Sequence, residues 1–127
     1  MTRGHIRFFI QDSQDQEAEQ ILAIGLSHDA YPSYYGEKLY EGLKDAMVTP
    51  EISVERAFLR KFGNWDSDYL MDDEYIYTVV MKPFLAEKEY FDLAEISHFE
   101  VETGYDTRNI IFAGNAEAFK AFCSDEE

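Results

Sequence analysis

Three histidines, His5, His28 and His98, and one cysteine, Cys123, are the residues of this 127-residue chain best suited to proton or metal chemistry. His28 followed by Asp29 is the best local arrangement for a general base beside a carboxylate. Adjacent residues on extended chain point in opposite directions, however, and a histidine in such a loop more often bonds the backbone. With Tyr31 and Tyr35 the pair defines an alternative reading, a small enzyme or ligand-binding domain. The run Asn64-x-Asp66-x-Asp68 begins like a calcium loop, but Tyr69 and Tyr75 stand where that loop needs Gly and Glu. There is no Gly-rich phosphate loop, nucleophile elbow or Cys/His pair with an orienting partner. The chain therefore reads as a non-enzyme with no indicated cofactor or metal.

Charge is the stronger signal. The 26 Asp and Glu outnumber the 11 Lys and Arg, giving a formal net charge of −15. Residues 63–106 hold 12 of the acids against Lys82 and Lys88 alone. These acids, the candidate contact residues, are Asp66, Asp68, Asp72, Asp73, Glu74, Glu87, Glu89, Asp92, Glu95, Glu100, Glu102 and Asp106. Such a balance argues against direct binding to nucleic acid or an anionic membrane, since phosphate contacts need a basic surface. The plain reading is a solvated face. The sharper one is a surface that competes for a cationic groove, because duplex DNA carries about one charge per ~1.7 Å of axis and a strand with alternate carboxylates approaches that density. In Glu87-x-Glu89, Glu100-x-Glu102 and Asp66-x-Asp68 each pair shares one face if the segment is extended.

The elements that must position these residues follow from apolar periodicity. Residues 5–10 alternate, with Ile6, Phe8 and Ile10 on one face. A polar loop over 11–20 leads to a second strand over 21–26, and a Pro- and Gly-containing loop over 28–36 follows. A helix starting at Ser33 or Gly36 carries Leu39, Leu43 and Met47. Thr49-Pro50 reads as N-cap and first residue of a second helix running to Phe62, with the stripe Val54, Phe58 and Phe62 and Gly63 as a left-handed terminator. Tyr75, Tyr77, Val79 and Met81 mark a central strand ended by Pro83. Further strands are expected over 90–96, 99–102 and 109–112, with Asn115 capping a last helix that carries Phe119 and Phe122. This order gives an α+β fold: one domain over 1–127, a single mainly antiparallel sheet, and two or three short helices packed on one face. One cysteine, a polar N-terminus and no long apolar run point to a reduced, cytoplasmic setting in the host cell.

Several pieces of the chain resemble a family of small uncharacterised phage and mobile-element proteins. They are residues 2–8 (Thr-Arg-Gly-His-Ile-Arg-Phe), 21–24 (Ile-Leu-Ala-Ile), 28–32 (His-Asp-Ala-Tyr-Pro) with 35–39 (Tyr-Gly-Glu-Lys-Leu), and 112–119 (Phe-Ala-Gly-Asn-Ala-Glu-Ala-Phe). That family opens with a Thr-Arg strand and has a His-x-Asp-Gly-Tyr-Pro-like loop before a helix, where this chain has Ala30 in place of Gly. The resemblance brings no activity, but it implies a phage-type origin. Charge and resemblance together favour a non-enzymatic inhibitor, a DNA mimic that binds the basic surface of a host defence nucleoprotein such as a CRISPR effector complex. An accessory module that homodimerises through its aromatic residues is a further alternative.

Overall fold

The structure is a computed structural model that describes residues 3–26, 29–63, 74–104 and 109–125. Alternating apolar residues build β1 (Gly4–Ile10) and β2 (Glu19–Leu26), which pair antiparallel across a bulge at Phe8/Phe9. Two helices follow, α1 (Glu37–Asp45) and α2 (Val54–Phe62), separated by the short strand β3 (Met47–Val48). The β-branched and aromatic run Tyr75–Met81 forms β4, and β5 (Phe91–Asp92) pairs with β3. The chain closes with β6 (Ser97–Thr103), β7 (Asn109–Asn115) and α3 (Ala116–Asp125).

The main sheet is mixed, five strands in the order β2-β1-β4-β6-β7, with β1 and β4 parallel and the other neighbours antiparallel. Beside it lies the two-stranded β3–β5 ladder, an addition to the one sheet expected. The α+β class holds. Ile6 and Phe8 of β1, Tyr77, Val79 and Met81 of β4, and Phe99 and Val101 of β6 point to one face. Leu39 and Leu43 of α1, Phe58 and Phe62 of α2, and Phe119 of α3 cover that face in one core. Phe8 packs on Phe58 and Phe62 at 4.5 and 5.2 Å, and Phe99 stacks on Phe119 at 4.4 Å. Each such ring contributes about 1.5–3 kcal/mol through burial.

Four local expectations are corrected. Met47 is half exposed in β3, not on α1, because the helix ends at Asp45 and the chain turns extended at Ala46. Helix α2 is capped by Ser53, whose hydroxyl accepts from the Arg56 N–H, while Thr49 and Ile52 form a bridged turn. Gly63 ends α2 with φ −62°, in the right-handed region. Residues 90–96 form only the two-residue β5 and then a 3-10 turn over Leu93–Ile96, since Asp92 Oδ1 accepts from the Glu95 N–H and caps that turn. The Asp92 cap competes with the strand reading by offering the backbone a local partner.

Candidate acidic interaction surface

Alternation sends His5, Arg7 and Phe9 of β1, Ile76, Thr78 and Val80 of β4, and His98, Glu100 and Glu102 of β6 to the sheet face opposite the helices. Register places these side chains in rows across the sheet. Arg7, Thr78, Glu100 and Ala113 of β7 make the middle row, and His5, Ile76, Glu102 and Ile110 the row beside it. The Arg7 guanidinium donates to Thr78 Oγ1 at 2.8 Å and to Glu102 Oε2 at 3.4 Å. So Glu102 meets a cation of its own chain. Glu100, half-buried one residue pair away, forms no ion pair among the described residues.

The other described candidate acids lie elsewhere. Glu74 precedes β4, where its N–H donates to the Arg3 carbonyl and its carbonyl accepts from Gly104 N–H. Glu87 and Glu89 are exposed in the connection between the Pro83–Leu85 turn and β5. Asp92 and Glu95 line a cleft of about 260 Å³ with Tyr40, Lys44, Asn115 and Glu117. The structure therefore brings Glu100 and Glu102 onto one strand face, as the spacing predicts. Glu87-x-Glu89 is not in a strand. The described acids fall at both ends of the sheet and in its middle. Asp66, Asp68, Asp72, Asp73 and Asp106, with the calcium-like run at Asn64, lie outside the described residues.

The cleft is of mixed charge. Tyr40, whose ring is held in the core, sends its hydroxyl toward Glu117 Oε1 at 3.4 Å and accepts from Lys44 Nζ at 3.5 Å. Lys44 and Lys120 both sit over the Tyr40 ring, at 5.7 and 5.4 Å from its centroid. The hydrogen bond to Tyr40, aided by the negative field of Glu117 and Asp92, holds the Lys44 ammonium above its ordinary pKa of 10.5. Asn115 caps α3 as its residue type suggests, accepting from the Ala118 N–H at 2.9 Å. No sequence spacing marks Tyr40, Lys44, Glu117 and Lys120 as a group, because they come from two helices and meet through α1–α3 packing.

The loop proposed as the alternative site divides. His28 lies outside the described residues. Asp29 is exposed with φ 56°, the left-handed region that costs most side chains energy and suits Asp better than most. Ala30 is fully buried, and its carbonyl accepts from the Tyr77 hydroxyl. Tyr31 and Tyr34 are exposed, Tyr35 is half-buried under the Lys38 ammonium, and Tyr40 belongs to the core. Strand register separates His5 and His98 into different rows of the sheet. Among the described residues no three His, Cys, Asp or Glu side chains are grouped to hold a metal ion. Cys123 is buried against Gly36, as a small apolar residue would be. No described helix is long and apolar enough to cross a membrane.

No family model, curated protein or solved structure matches the chain. The chain carries an excess of carboxylates, 26 Asp and Glu against 11 Lys and Arg.

Proposed function

We propose that this chain is an acidic, non-enzymatic inhibitor of phage type that occupies the basic, nucleic-acid-binding surface of a host defence nucleoprotein, such as a CRISPR effector complex. One observation carries the reading. Of the seven described candidate acids only Glu102 is ion-paired among the described residues; Asp92 caps a turn and faces Lys44, and Glu74, Glu87, Glu89, Glu95 and Glu100 are left to meet a partner. A surplus of this kind costs stability through self-repulsion, and its return is solubility and fast encounter with a cationic surface. The resemblance to phage and mobile-element proteins supplies the biological setting.

The test is gel-shift competition against nucleic-acid-binding defence complexes, backed by pull-down with purified components. Capture of the complex by this chain alone that weakens from about 50 to about 200 mM salt supports the reading, because the screening length of exposed charges falls from about 14 Å to about 7 Å over that range. Capture indifferent to salt, or no displacement of nucleic acid across the panel, contradicts it.

A further inference from the structure

The two edges of the main sheet are unlike. Edge strands in natural proteins are commonly guarded by charges, by proline or by a covering element, because their free N–H and C=O groups template further pairing. Strand β2 begins at an exposed Glu19. Strand β7 (Asn-Ile-Ile-Phe-Ala-Gly-Asn) has neither a charge nor a proline in a chain of net charge −15, and among the described residues it pairs with β6 alone. Its side chains are also open to solvent. Ile110 is 59% and Ile111 37% exposed, with Ile111 left unopposed at the bulge against Val101 and Glu102.

The two sides of this edge differ in chemistry. On the helix side, Phe112 stacks on Phe122 at 4.9 Å, both half-buried, and Ala118 continues the apolar step next to Gly114. On the opposite side, Glu100 lies directly across from Ala113, and no ion pair among the described residues engages it. A strand added outside β7 would run about 9.6 Å from β6, two strand spacings away. A long cationic side chain on it can lean across the Ala113 methyl to the Glu100 carboxylate, where a larger residue than alanine would stand in the way. Its alternate residues would meet the Phe112–Phe122 step.

We infer that the outer edge of β7, which pairs with nothing beyond β6 among the described residues, takes an extended segment of a partner protein by strand addition, one in which apolar residues alternate with Lys or Arg. The inference rests on the proposed acidic-inhibitor reading and names its point of contact. Main-chain hydrogen bonds supply affinity, and the alternation of acid above and apolar surface below sets which side chains are accepted. A second copy paired through this edge would bring a β7 that carries no cation, together with its own surplus acids, so the cationic segment is the occupant that charge complementarity favours.

The experiment uses the full 127-residue chain and a short fluorescein-labelled peptide of alternating Val and Arg. Amide shifts on titration are expected at residues 109–115 and at Glu100, with no comparable shifts at α1 or β2. A peptide with proline at alternate positions, which cannot complete the ladder, should fail to bind. Glu100→Gln is expected to weaken the Val-Arg peptide by about fivefold, the scale of one charge pair at a partly exposed site. Ala113→Arg, at an exposed position, should block it by covering Glu100 from within the chain. Equal binding of the proline peptide, shifts that map elsewhere, or self-association that Ala113→Arg abolishes would each overturn the inference. Loss of peptide binding with nucleic-acid displacement intact removes the β7 contact alone. Absence of displacement with the β7 shifts intact removes the inhibitor reading alone.

Discussion

Tyr40 shows how much one buried ring can organise. Its ring completes the core while its hydroxyl stands between Glu117 and Lys44, and two ammonium groups lie close to that ring. Because the hydrogen bond to Tyr40 favours the charged form, Lys44 holds its proton above pH 10.5, and any stabilisation from the pair is fully present at neutral pH and lost only as pH rises through that raised value. Tyr40→Phe should return the Lys44 ammonium toward the ordinary lysine range, read as an earlier titration of its side-chain NMR signal, and an unchanged titration would dissociate the two groups. Gly36 is a second point where one atom decides. A Cβ there would run into Cys123 Sγ and lie 3.3 Å from Phe119 Cζ. Gly36→Ala is therefore expected to cost about 1–3 kcal/mol in urea unfolding, the range for overpacking, and Gly36→Ala with Cys123→Ala to recover part of it.

Among elements, the start of α2 gives the sharpest contrast. Ser53 accepts from Arg56 N–H at 3.2 Å and is the working cap, whereas the Thr49 hydroxyl is buried with no partner among the described residues. Ser53→Ala should lose about 1 kcal/mol of stability in chemical denaturation. Thr49→Val should be neutral or stabilising, because it removes an unmet polar group while keeping the shape. The opposite order would restore the Thr49-Pro50 helix start that the residue types suggest. The long periodic elements were legible because their burial is one-sided: Ile6 and Phe8, Phe58 and Phe62, and Tyr77, Val79 and Met81 all reach the core on the stripes their spacing marks. What periodicity does not encode is which neighbour a strand takes. The parallel pairing of β1 with β4 and the β3–β5 ladder depend on contacts between residues far apart in the chain. The Asp92 cap, a local hydrogen bond, turned an apolar run that reads as strand into a 3-10 turn. Of the candidate acids, the pairing of Glu100 with Glu102 on one face was legible from their spacing, and the Arg7–Glu102 ion pair was not, since it bridges strands 95 residues apart in sequence.

For the whole molecule, the excess of carboxylates over internal partners is the property on which the proposed function turns. Neutralising them should relieve self-repulsion, so a variant with Glu87→Gln, Glu89→Gln, Glu95→Gln and Glu100→Gln is expected to melt at or above the temperature of the parent chain. The same variant tests the central claim most directly through its inhibition constant, measured by competition with duplex DNA for a purified CRISPR effector complex at one low salt concentration. At about 0.5 kcal/mol for each charge removed, inhibition should weaken by roughly thirtyfold. Inhibition equal to that of the parent chain would contradict an acidic surface acting in place of phosphates.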